Sequence, residues 1–176
     1  VAQTHAVAHT GFGERRRGSI FSRAVYNVSV VRQWGGGWLA SIGFSDFAGS
    51  TLVHSTGGAA ALAGALVLGP RLGRFTKSGA PAPLKPFAAS SIPLVTVGVF
   101  ILWLGWFGFN GGSQLAMGSF DDAVAVSNIF INTNLAACGG VLAAAAVTRL
   151  TGKTDVIQML NGAIGGLVAI TAEPLM

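Results

Sequence analysis

Charge is what this sequence has least of. Only 10% of its 176 residues are Asp, Glu, Lys or Arg, against about 25% in an ordinary soluble domain. A surface wetted on all sides needs more polar cover than that, so the composition excludes a soluble globular protein and leaves an integral membrane protein. Cysteine is nearly absent too. Cys138 stands alone, which excludes an internal disulfide framework and any cysteine-rich metal site. It reads as a small apolar packing residue. No nucleotide-binding loop, metal cluster or paired nucleophile and base is visible, so neither an enzyme nor a cofactor nor a metal is expected. A signal peptide is missing as well: Val1 is not an initiator methionine, and 1–12 lacks a basic stretch followed by an apolar core. That first residue and the stop at Met176 read as the edges of a piece of a longer protein.

What the sequence does hold is a set of uncharged runs separated by small charged clusters. No charge falls between Asp46 and Arg71, between Lys85 and Asp121, between Asp122 and Arg149, or between Asp155 and Glu173. A hydrocarbon core about 30 Å thick takes about 20 helical residues. The expected spans are 47–69, 92–111, 123–148 and 156–172, the third long enough to tilt, the fourth ended by Glu173 and Pro174. The fold class is an all-α polytopic helix bundle. Glycine and alanine three to four apart (Gly57, Gly58, Ala59, Ala63, Gly64; Gly139, Gly140, Ala143; Gly162, Gly166) predict close helix packing in lipid.

The net charge of +5 does not point to nucleic acid, because the basic residues sit in the loops between apolar runs. Arg15, Arg16 and Arg17 form one cluster, Arg71, Arg74, Lys77 and Lys85 the next, Arg149 and Lys153 the third. Basic loops stay cytoplasmic, so 47–69 is expected to run from outside to inside. Alternation then demands a further crossing at 18–34, which Arg23 and Arg32 oppose. Residues 1–17 are a divergent segment ending in the first basic loop, and 18–176 the transmembrane region.

One titratable ring falls inside an uncharged span. His54 lies in DFAGSTLVH at 46–54, and an ionisable side chain at that depth is a functional candidate: a proton site, a pore lining or a buried contact. A ring donating to a carbonyl of a neighbouring helix is the plain alternative. Asp46 is expected to cap the helix start, with His54 about 12 Å deeper at α-helical rise. A second cluster, GWFGFNGGS at 105–113, puts Trp106, Phe107 and Phe109 before Asn110 and Ser113 at the outer end of the next span. Aromatic faces attract cations at a partly dry site, and a hydroxyl adds a directed hydrogen bond. Trp34, ahead of three glycines, is a further aromatic expected near the outer face.

These motifs, with WGGG at 34–37 and NGAIGGLVAITAEP at 161–174, resemble the ammonium transporter (Amt/Mep/Rh) family over roughly 34–176. The match corresponds to about helices four to eight of an eleven-helix fold. The resemblance implies a homotrimeric, channel-like transporter in the cell membrane, with one pore per subunit and ammonium or ammonia as its substrate. Motif by motif, it assigns Trp34 and Ser113 to an outer recruitment site, Asp46 to its supporting cap, Phe109 to a gate beside Trp106, and His54 to the pore lining. Ammonium and potassium are alike in size and charge, but only ammonium donates hydrogen bonds and can shed a proton. A dry pore favours neutral ammonia, since an isolated ion pays heavily for desolvation, and a histidine relays protons near neutrality.

The chain departs from the family in three places. The partner pore histidine would lie beyond residue 176; His5 and His9 align with nothing in the family and read as incidental. The gate's second phenylalanine is not identifiable. The 18–34 segment is short and carries arginines. The chain is therefore expected to encode at most half a pore. A membrane ammonium sensor, a component regulated by a PII-type protein at the Arg71–Lys85 loop, and a non-transporting remnant are the alternatives.

Overall fold

The computed structural model describes residues 31, 33–70 and 89–176. The 1–17 segment with His5 and His9, most of the 18–34 crossing, and the basic loop from Arg71 to Lys85 lie outside the described residues. Within them the chain is helical: α1 (Trp38–Ser41), α2 (Ser50–Leu68), α3 (Ile92–Gly112), α4 (Phe120–Thr151) and α5 (Val156–Ile170). Three of these, α2, α3 and α4, are long and apolar enough to cross a membrane. At 1.5 Å per residue the 21 residues of α3 reach about 31 Å and the 32 of α4 about 48 Å, so α4 can cross a 30 Å core at a tilt.

The starts of α3, α4 and α5 are each set by a short polar side chain. Ser91 accepts from the Leu94 amide ahead of α3, with Pro93 in the first turn. At α4, Ser119 and Asp122 form a reciprocal capping box, an S-x-x-D pattern that occupies two otherwise orphaned donors. Asp155 accepts from the amides of Ile157 and Gln158 at the head of α5.

α5 departs from the expected span. Its 15 residues reach about 22 Å, short of a full core, and it ends at Ile170 rather than at Glu173 and Pro174. The Thr171 hydroxyl bonds back to the Leu167 carbonyl at 2.7 Å. The carbonyls of Thr171 and Ala172 accept the amides of Ala48 and Phe47, at 3.0 and 2.8 Å. The chain entering α2 thus occupies the end of α5, and the ladder stops before the proline is reached.

α4 and α5 meet backbone to backbone. A Cβ built on Gly140 would run into the Gly162 carbonyl, one on Gly162 into the Gly140 carbonyl, and one on Gly166 into the Ala136 carbonyl. Small residues here do what their spacing predicts. α3 joins the pair through Gly111, where a Cβ would stand 2.5 Å from the Phe130 ring, and through an edge-on contact of Phe107 with Phe130 at 5.5 Å. Trp106, Ala137 and Leu167 form the buried apolar centre of this three-helix unit. Cys138 is a free, half-buried thiol on α4. Two glycines of α2 behave differently: a Cβ on Gly58 or Gly64 would meet nothing among the described residues.

Candidate functional site

The site is built where the chain turns into α2. Asp46 is almost fully buried. Its Oδ1 accepts from the amides of Gly49 and Ser50, and its Oδ2 from those of Thr51 and Leu52, all at 2.8–3.0 Å. One carboxylate therefore satisfies four backbone donors at the N-terminus of a helix, where a negative charge also opposes the positive end of the helix dipole. Gly49 makes the bend, at φ 108°, a conformation that costs glycine little and other residues much. The Trp34 indole lies over this bend, 3.1 Å from where a Gly49 Cβ would stand, and its Nε1 donates to the Asp46 carbonyl at 2.8 Å.

The first turn and a half of α2, Ser50–Ser55, is wound as a π-helix. The His54 amide bonds to the Gly49 carbonyl five residues back, at 3.0 Å. Such wide turns recur at functional sites. Residues 46–49 are not helical, so the expected depth at α-helical rise from Asp46 does not apply; His54 lies four residues of helix beyond Ser50.

The His54 ring stacks on Trp106, centroids 5.1 Å apart and planes at 25°, and leans on Phe109 at 5.6 Å. Trp106 and Phe109 are themselves 5.8 Å apart. Residues three apart on α3 share a face, so one helix face presents both rings to one histidine. Within that cluster the His54 Nε2 is buried and has no hydrogen-bond partner among the described residues. An unmet buried nitrogen costs about 1–3 kcal/mol. No described residue offers this nitrogen the helix carbonyl of the plain reading.

Ser113 sits one turn beyond Phe109 and donates its hydroxyl proton to the Phe109 carbonyl at 2.8 Å. With that proton committed, the oxygen can only accept, which suits a cation that donates. Phe109 and Trp34 are both about two-fifths exposed. All six sequence-selected residues are thus joined: Trp34 to Asp46, Asp46 to the turn that carries His54, His54 to Trp106 and Phe109, and Phe109 to Ser113.

Two residues of the aromatic cluster fall elsewhere. Phe107 faces α4 and Phe130 rather than His54. Asn110 is fully buried, its amide donating to Thr133 on α4 at 3.0 Å. It belongs to a chain of polar contacts that sequence reading missed: Trp106 Nε1 donates to the Thr171 hydroxyl at 2.8 Å, and that hydroxyl faces Asn110 Oδ1 at 3.2 Å. Asn110, Thr133 and Thr171 are each polar side chains in apolar runs, which must be paired when buried. That signal was present in the sequence; the partners, 23 and 61 positions apart, were not.

Comparison with known proteins supplies the context. The model of the Ammonium Transporter Family matches residues 17–174. The ammonium transporter Amt2 of Archaeoglobus fulgidus is 44% identical over 165 residues, covering 88% of this chain and 34% of that protein. A solved structure titled "Sensor Amt Protein" superposes with a TM-score of 0.84 at 35% identity, over 95% of this chain and 42% of that one. The crystal structure of Saccharomyces cerevisiae Mep2 superposes with a TM-score of 0.64 at 35% identity, over 78% of this chain and 29% of that one. The chain spans about a third of the length of the curated relatives it matches.

Proposed function

The chain belongs to the ammonium transporter family, and from that premise we propose that the protein it contributes to moves ammonium or ammonia across a cell membrane. In this reading Trp34 and Ser113 gather ammonium at the outer mouth. The acceptor-only oxygen of Ser113 takes a hydrogen bond from the cation, and the exposed face of Trp34 offers cation–π attraction. Asp46 holds the turn beneath them. Phe109 gates the way inward past Trp106, and His54 receives the nitrogen on the dry side.

The observation that carries this reading is the Nε2 of His54, buried under two aromatic rings and without a partner among the described residues. A neutral Nε2 without its hydrogen accepts a bond from ammonia or takes up a proton released on the way; a protonated one donates. Either exchange meets the cost of the unpaired atom only when a small nitrogenous guest is present. Potassium can make neither bond.

The whole transporter needs residues this chain does not carry, including a second pore histidine, and assembles as a homotrimer. The cytoplasmic basic loop Arg71–Lys85 is where a PII-type regulator would touch. One solved relative is named a sensor, which favours ammonium sensing as the second reading, with the same residues of this chain gathering ammonium and a different output.

The test is substitution of His54 in the protein expressed from its complete coding sequence and reconstituted in vesicles. His54→Ala is expected to lower ammonium flux at least tenfold, or to admit potassium, while assembly is retained. Unchanged rate and preference would remove the pore assignment. A strain lacking ammonium transporters, given this chain alone, is expected to remain unable to grow on low ammonium.

A further inference from the structure

The buried contacts behind Trp106 have no part in the reading above. Trp106 is nearly fully buried, with His54 stacked on it and Ala137 and Leu167 grouped with it in the core. Its only polar atom, the indole N–H, donates to the Thr171 hydroxyl across 65 positions of sequence. Thr171 is itself completely buried at the end of α5. Its single hydroxyl proton faces the Leu167 carbonyl at 2.7 Å and Asn110 Oδ1 at 3.2 Å, so its oxygen is left to accept from Trp106. Asn110 is held in turn, its amide donating to Thr133. Three helices therefore contribute to the placement of one acceptor.

We propose that Thr171 is a positioning residue that holds the Trp106 indole N–H away from the His54 ring, so that this ring meets the face of Trp106 and never its donor. This rests on the transport reading and deepens it by naming what fixes the site's selectivity. The chemistry follows from the inventory of donors. A free indole N–H beside His54 would be a competing donor. It would bond the vacant Nε2, or hold the lone pair of ammonia, and either would stall a guest that must leave as readily as it enters. With the N–H occupied, Trp106 presents to the His54 ring only the face already stacked on it, and Nε2 is left to the guest. A bond that merely tied α3 to α5 would be replaceable by apolar packing of the same shape, because the pair could then be lost with little cost.

The experiment uses the protein from its complete coding sequence, labelled with 15N at the tryptophan indoles, with the Trp106 resonance assigned by its loss in Trp106→Phe. Thr171→Val keeps the shape and removes the acceptor. It is expected to shift the Trp106 indole resonance, to lower ammonium flux about fivefold, the factor carried by one ordinary hydrogen bond, and to change the ratio of ammonium to methylammonium flux. Thr171→Ser is expected to restore all three. An unmoved resonance in Thr171→Val overturns the proposal, and so does a moved resonance with unchanged flux and ratio. Should Thr171→Val not fold, Thr171→Ala removes the same acceptor with less bulk and is read identically. If the unsubstituted protein carries no ammonium, the transport reading fails by itself, and the indole resonance alone decides whether Thr171 holds Trp106.

Discussion

α5 against α4, and α2 against everything else, are two opposite ways of placing a helix. α4 and α5 approach until glycine backbones touch, with Gly140, Gly162 and Gly166 leaving no room for a single extra carbon. Among the described residues, α2 is held only at its start. Its Thr56–Leu68 portion has no buried residue among the described part of the chain, and Gly58 and Gly64 meet nothing among the described residues. Among the described residues, only the π-wound turn bearing His54 is seated, through the Asp46 carboxylate, the end of α5 and the rings of α3. The same composition of small residues thus does two different jobs. In α4 and α5 it makes a rigid platform under Trp106; in α2 it leaves a face for contacts that the described residues do not supply. The candidate site lies on the seam between the rigid unit and the helix that is tethered at one end.

The platform half of that comparison breaks hardest. Gly162→Leu drives a branched side chain into the Gly140 carbonyl and the Ala144 methyl, and backbone cannot yield as a side chain would. A loss of at least ~3 kcal/mol is expected, read as earlier unfolding in mixed detergent micelles. Retention of full stability would show that α4 and α5 are not in backbone contact.

The tether half comes next. Asp46→Ala strips four amides of their acceptor, and a cost of about 2–3 kcal/mol is expected from the lost cap and the unmet donors. Asp46→Asn keeps one acceptor oxygen and should lose about half as much. The effect should concentrate at α2: hydrogen exchange is expected to speed up at Thr51, Leu52 and His54 while Ile129 and Leu167 stay protected. Uniform acceleration would mean that the two regions unfold as one. Gly49→Ala strains the same bend from the backbone side, with φ at 108° and the Trp34 ring and Val53 in the way. It should cost about 1–2 kcal/mol and loosen Trp34 from the Asp46 carbonyl.

How much of this was legible before the structure follows the same division. The long helices were visible because membrane insertion is decided by local apolarity, and charge marks where it ends. Asp46 was legible as a cap for the same reason: capping is a matter of a few adjacent residues. His54 and the Trp106–Phe109 pair stood out because a titratable ring and clustered aromatics are rare at such positions. What local reasoning missed is what other parts of the chain impose. Phe47 and Ala48 end α5 from more than a hundred residues away, so a proline placed after the helix looked like its terminator. The amide donors gathered by Asp46 keep 46–49 out of the helix, so His54 stands only four residues beyond the first helical residue, Ser50. Asn110 was grouped with its aromatic neighbours, yet its position on α3 turns it to Thr133 and Thr171 instead.

The smallest effect bears most directly on the exposed face of α2. Gly58 is a mid-helix glycine with open space where a Cβ would stand. Alanine there relieves the entropy that glycine loses on entering a helix, by up to about 1 kcal/mol. Gly58→Ala in the protein expressed from its complete coding sequence is therefore expected to leave transport unchanged and to raise stability slightly. The sign is the informative quantity. A gain means that α2 keeps an open face at this point even when its full surroundings are present. A loss of several kcal/mol means that another backbone comes as close to Gly58 as Gly162 comes to Gly140, and α2 would then be seated along its length by the same device that joins α4 to α5.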